Sequence, residues 1–156
     1  VIILGIDPGL SGALAFYNTQ TGDVTVVDMS TVEVIRNGKK KNEVSPQLLS
    51  DEIVNWPVDK AFVERVGAMP GQGVTSVFSF GRSVGIVEGI LASFDIPTTI
   101  VPPVTWQKGV NLRGGKDGSR ERAMQLFPRQ ASLFARKKDD GRSDASLIAY
   151  YGAKSL

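Results

Sequence analysis

The chain has 156 residues, 42% hydrophobic and 22% charged, which is the size and composition of one ordinary globular domain spanning residues 1–156. It holds no Cys and no His, so disulfides, thiolate metal sites, histidine bases and histidine-ligated zinc are excluded, and any acid, base or metal ligand must come mainly from carboxylates. The net charge of +2 is unevenly placed: residues 1–104 carry seven basic and eleven acidic side chains, net −4, whereas residues 105–156 carry eleven and five, net +6, which points to a local patch for a polyanion.

VIILGID reads as a buried strand that ends on Asp7. GALAFYN follows after the turn DPGLS, and GDVTVVDMS after the turn NTQTG. Turns this short force the three strands to pair antiparallel. VIRNGKKKNEV is polar and basic and reads as a loop. SPQLLSDEIVNW starts a helix with Ser45 as N-cap and Pro46 at the first helical position, and places Leu48, Leu49, Ile53 and Trp56 on one face. DKAFVERV is a fourth strand, returning through a helix and therefore free to run parallel to the first. GAMPGQGVT is a glycine-rich loop, VFSFGRSVGIVEGILASF a long apolar helix, and IPTTIVPP a fifth strand. PVTWQKGVNLRGGKDGS reads as an irregular basic connector, SRERAMQLF as a short helix, FPRQASLFARKKDDGR as a second basic link, and RSDASLIAYYGAKSL as a closing helix. This order gives an α/β fold: a five-stranded mixed sheet, three strands antiparallel and two parallel, with helices on its faces. No apolar run reaches the length of a membrane span, and VIILGI is too short and ends on Asp, so neither a signal peptide nor a membrane partner is expected. A cytoplasmic location is the corresponding expectation.

The carboxylates fall in a pattern. Glu64 sits late in the apolar run Ala61, Phe62, Val63, where a charge is costly unless a cation compensates it. The topology lays that strand beside the first, so Asp7 and Glu64 stand at matching strand ends. Two adjacent carboxylates raise each other's pKa unless a metal neutralises them. The last helix adds Asp139, Asp140 and Asp144. Asp140 and Asp144 are four apart and can share a helix face, and Asp144 lies among Ala145, Leu147, Ile148 and Tyr151. Asp140 is also the residue type expected to cap a helix N-terminus. Hard oxygens from separate elements suit Mg²⁺ or Mn²⁺, and such sites commonly hold two ions roughly 4 Å apart for phosphodiester hydrolysis.

GIDPGLSGALAF, FVERV, GRSVGIVEGIL and DDGRSDASLIAYYG, in this order and spacing, resemble the RuvC family of Holliday junction resolvases, most closely its phage and prophage branch. The resemblance covers nearly the whole chain. It implies an RNase H-like fold, a homodimer, and magnesium-dependent symmetric nicking of four-way DNA junctions. It carries the ligand role to Asp7, Glu64 and Asp144. Bacterial members place an acid or His three residues before the last Asp, and here that position is Gly141. Asp140 is the natural substitute. Phage relatives often carry His-Asp-Gly-Arg, with Asp139 at the His position, so Asp139 stands as the second candidate.

Met69 and Phe78, in and after the glycine-rich loop, are placed to wedge against bases exposed at a junction centre, although Phe78 equally fits a helix core. Lys108, Arg113, Lys116, Arg120, Arg122, Arg136, Lys137, Lys138 and Arg142 crowd the segments leading to the last helix and are candidate phosphate contacts. Lys39, Lys40 and Lys41 offer a more distant one. Gly81, Gly85 and Gly89 recur every four residues on the long helix, a stripe that fits packing on the sheet or on a twin helix. Two other readings remain open at the level of sequence. GIDPGLSGALAF also resembles the first phosphate loop of actin-like ATPases and sugar kinases, a fold that needs two such domains. A junction-binding protein that has lost cutting is the non-enzymatic alternative.

Overall fold

In the computed structural model, which describes residues 1–156, the N-terminal apolar run forms β1 (Ile2–Asp7), followed by β2 (Ala13–Asn18) and β3 (Val24–Asp28). β1 and β2 pair antiparallel with Asp7 opposite Ala13, and β3 extends the meander antiparallel to β2. Then come β4 (Thr31–Arg36), β5 (Lys39–Val44), α1 (Pro46–Val54), β6 (Lys60–Glu64), α2 (Val74–Ser93) and β7 (Thr98–Val101). The C-terminal third holds α3 (Pro103–Gly109), α4 (Gly118–Leu126), short 3₁₀ turns at Pro128–Phe134 and Lys137–Asp139, and α5 (Asp140–Lys154). β6 runs parallel to β1, and β7 parallel to β6, giving the sheet order β3-β2-β1-β6-β7. This is the expected five-stranded mixed sheet.

The sheet is buried on both faces, so its central strands are apolar in continuous runs. On one face Leu4, Ile6, Leu14 and Val63 meet Leu49 and Ile53 of α1 and Val87 and Leu91 of α2. On the other, Ile3, Ala15 and Phe62 meet Trp106, Phe127, Phe134, Leu147 and Ile148. Gly5 is what lets α5 lie directly on β1: a Cβ there would collide with the Ala145 carbonyl and the Ala149 amide. That contact brings the start of α5 to the end of β1.

Three sequence expectations change. VIRNGKKKNEV is not a loop: β4 and β5 pair antiparallel as a separate two-stranded hairpin. Its turn is Asn37-Gly38, both at positive φ (53° and 73°), the Asn-Gly hairpin signal that the run of charges obscured. Leu48 leaves the buried face of α1 and is 46% exposed, while Leu49 and Ile53 are buried and Trp56 stacks on Phe16 just beyond the helix. The connector after β7 is partly ordered as α3, with Trp106 fully buried. The signals at the start of α1 hold: Ser45 accepts a hydrogen bond from the Leu48 amide at 3.2 Å, with Pro46 opening the helix. Asp140 is the first residue of α5 rather than its cap; Asp139 holds the cap position, with no capping side-chain hydrogen bond.

One further correction concerns α2. By length and composition this helix of 20 residues could cross a membrane, contrary to the expectation that no run would. It carries Arg82 and Glu88, charges that are costly at the centre of a bilayer.

Candidate active site

β1 and β6 are parallel neighbours, in register at Ile6 and Val63, so Asp7 and Glu64 leave the sheet together at the ends of their strands. α5 starts at Asp140, which puts Asp140 and Asp144 one turn apart. Asp7, Asp140 and Asp144 line one cleft of about 920 Å³, together with the Gly9–Gly12 turn, Phe80, Lys137 and Lys138. Glu64 stands beside them, its Oε2 accepting a hydrogen bond from Trp106 Nε1 at 2.7 Å. Asp7 Oδ1 accepts one from the Gly9 amide at 3.2 Å.

The electrostatics are those of carboxylates without a cation. Burial raises the pKa of Asp7, and the Gly9 amide opposes it only in part. Burial likewise raises Glu64; the Trp106 bond lowers it, and the charge of Asp7 raises it again. Asp144 is pushed up to about 7, chiefly by burial; the Ser119 side chain opposes the shift, and the charges of Asp7, Glu64 and Asp140 add to it. Its Oδ1 is buried with no hydrogen-bond partner. An orphaned buried carboxylate oxygen facing three other carboxylates is a donor set for a hard cation. The four groups do not close into a ready-made three-ligand cage in this structure.

Asp139 and Asp140 part company. Asp139 is 1% exposed. It accepts from the Arg136 amide at 2.8 Å and from Arg136 Nη2 at 2.8 Å, with Arg142 Nη1 at 3.8 Å. The Arg136 bonds hold its pKa below the usual carboxylate range. Asp140 lines the cleft, its Oδ1 3.3 Å from Arg120 Nε. Gly141 has no room for a side chain: a Cβ there would strike the Ser11 carbonyl and Gly12 Cα.

The candidate DNA contacts divide. Lys137 and Lys138 line the carboxylate cleft, and so do Lys40 and Lys41, expected to be more distant. Lys108, Arg113 and Arg122 line a separate cavity of about 810 Å³. Lys116 is exposed in the loop before α4. Arg120 is engaged internally, donating to the Ala135 carbonyl at 3.0 Å and to Asp117, and Arg142 forms a bidentate pair with Asp28 at 2.8 and 2.9 Å. Neither guanidinium is a free phosphate donor here. Met69 and Phe78 are exposed, which removes the reading of Phe78 as helix core. Sequence reasoning missed Trp106, Ser119 and Phe80. Trp106 was hidden in what read as a connector, and only its Trp-in-a-polar-segment position hinted at a buried anchor.

Strand order and carboxylate placement together define the class: an RNase H-like fold with its acidic site at the ends of β1 and β6 and the start of α5. The comparisons with known proteins agree. The chain is similar over 99% of its length to T. thermophilus RuvC in complex with a Holliday junction substrate, with a TM-score of 0.67, 11% identity and 96% of that chain covered. A second Thermus thermophilus RuvC structure aligns over 99% of this chain and 97% of that one at TM-score 0.59 and 13% identity. The fowlpox virus Holliday junction resolvase aligns over 100% and 99% at TM-score 0.50 and 14% identity. In sequence, the chain is 37% identical over 94 residues, 56% of its length, to the chloroplastic Holliday junction resolvase MOC1 of Chlamydomonas reinhardtii. That match spans about a tenth of the curated relative, 10% of its length. No family model matches the chain. The chain is thus related in sequence to a Holliday junction resolvase and has the RuvC fold.

Proposed function

We propose that the chain is a structure-specific endodeoxyribonuclease that resolves four-way (Holliday) DNA junctions by metal-dependent, symmetric phosphodiester hydrolysis. The carrying observation is the unpartnered, buried Oδ1 of Asp144 among Asp7, Glu64 and Asp140, in a cleft rimmed by lysines. Asp7, Glu64, Asp140 and Asp144 would hold Mg²⁺, with Mn²⁺ as a substitute, and two ions when loaded would supply an activated water and stabilise the leaving oxygen. The protein's own contribution is positioning. The Gly9 amide fixes Asp7, Trp106 fixes Glu64, and α5 fixes Asp140 against Asp144. Lys137 and Lys138 draw the phosphate backbone over this acidic floor. The test is a four-way junction labelled on each strand in turn, with Mg²⁺. Paired nicks placed symmetrically across the branch are expected; nucleotide binding without cutting would favour the kinase-like reading, and tight junction binding without cutting the cleavage-dead one.

The working unit is a homodimer, whose twofold symmetry matches that of the junction. A Cβ added at Gly81, Gly85 or Gly89 meets nothing within 4 Å, so the stripe faces away from its own sheet, alongside the exposed Val74 and Phe78. Monomers at micromolar concentration in sedimentation would remove this part. The phage or prophage branch rests on the joint resemblance of GIDPGLSGALAF, FVERV, GRSVGIVEGIL and DDGRSDASLIAYYG, and the cytoplasm is the proposed site of action; genomic context and cell fractionation check them.

The fourth ligand has a direct test. Asp140→Asn is expected to reduce cleavage strongly across a Mg²⁺ titration with little change in folding. Asp139→Asn should instead cost about 1–3 kcal/mol of stability by weakening charged hydrogen bonds to Arg136. A dead Asp139→Asn beside an active Asp140→Asn, both folded, would reverse the assignment.

A further inference from the structure

The hairpin of β4 and β5 is not hydrogen-bonded to the main sheet, and a two-stranded ribbon is marginal by itself. Its base is nevertheless fixed. Val44 is buried in the core, the Ser45 amide donates to the Ser30 carbonyl at 2.9 Å, and Arg82 of α2 reaches the Val44 carbonyl at 3.4 Å and Glu43 at 3.6 Å. Arg36 is consumed by Glu43 through two hydrogen bonds. The lysines are not neutralised in this way. Lys41 forms no salt bridge, and Lys40 has only an exposed 3.7 Å contact with Glu33, which contributes little. Lys40, Lys41 and Asn42 nonetheless line the same cleft as Asp7 and Asp144, along with Lys137 and Lys138 from the turn before α5. The cleft therefore has two basic rims from distant parts of the chain and an acidic floor. A rigid base holding the exposed Lys40 and the half-buried Lys41 at a cleft rim fits a ligand carrying several regularly spaced negative charges.

We propose that this hairpin is the second wall of the DNA channel, with Lys40 and Lys41 binding backbone phosphates on the side of the scissile position opposite Lys137 and Lys138. The inference rests on the nuclease reading above and adds to it a binding element that acts on the substrate backbone. Each phosphate contact contributes about 0.9 to the slope of log affinity against log salt.

The experiment measures four-way junction binding by the full chain in EDTA over a salt series. Lys40→Ala/Lys41→Ala should weaken binding and flatten the slope by about 2 per subunit, and Lys137→Ala/Lys138→Ala should do the same. Lys40→Arg/Lys41→Arg should retain the wild-type slope, which separates charge from fold. In the wild-type chain, junction should shield Lys40 and Lys41 from amine acetylation. Lys154, at the far end of α5 roughly 20 Å from its start, should stay reactive. An unchanged slope in the Lys40→Ala/Lys41→Ala variant, with a wild type that binds and cuts junctions, overturns the hairpin assignment alone. A wild type that binds no junction overturns both.

Discussion

Asp7→Asn is expected to lower junction cleavage roughly thousandfold, about 4 kcal/mol of barrier, while junction affinity in EDTA stays within about twofold. The substitution is nearly isosteric, and the amide oxygen can still accept from Gly9, so the turn after β1 keeps its shape. What it removes is one of the carboxylates that, on the proposed reading, make the floor of the cleft a cation site. In the proposed complex, affinity in EDTA would come instead from phosphate contacts by the lysines that line the cleft, which are untouched. Glu64→Gln should behave alike, because Trp106 holds the side chain in place in either form. Single-turnover cleavage at saturating junction, read beside equilibrium binding, separates the two effects. Nicking above about a tenth of the wild-type rate would take Asp7 out of the chemistry.

Much of this was legible in residue order alone. Asp7 and Glu64 are found together because β6, entered from α1, is free to return parallel to β1 and ends at the same edge of the sheet. Asp144 was visible as a charge within an otherwise apolar helix face. Helix register alone favoured Asp140 over Asp139; what residue order did not show is the partner outside the motif's spacing, Arg136, which closes back on Asp139 and buries it. Nor did it show the reason for Gly141, which lies in how closely the Gly9–Gly12 turn crosses the start of α5. The basic residues were the least readable. A list of cations says nothing of which are spent internally, and Arg120 and Arg142 are, while Lys40 and Lys41 reach the cleft only because Asn37-Gly38 turns a charged stretch into a hairpin. Surface charge patterns carry no periodicity of their own when the strand that bears them is polar on both faces.

The same site predicts an unusual stability effect. Asp144 has its pKa raised from 3.8 to about 7 in the folded chain. Between those values the folded state holds a proton that the unfolded state has released, so without divalent cation stability falls as pH rises through this window. Below about pH 4 both states are protonated and the cost is absent; above about 7 it is present in full. Asp7 and Glu64, also raised by burial, push in the same direction. Asp144→Asn removes the ionisable group and keeps the shape. It should therefore stabilise the metal-free chain at pH 7.5 by roughly 2–4 kcal/mol, about 5–10 °C in Tm, and change little at pH 4. The same variant should be dead in cleavage, an exchange of stability for function at a site built to hold charge. Mg²⁺ should raise the Tm of the wild type at pH 7.5 and do much less for Asp144→Asn, because a cation that binds only the folded state stabilises by mass action. Calorimetry at the two pH values, with EDTA and with Mg²⁺, reads all four arms. If Asp144→Asn melts at or below the wild type at pH 7.5 in EDTA, the buried carboxylate is not a strained cation ligand, and the case for Asp144 at the centre of the site fails with it.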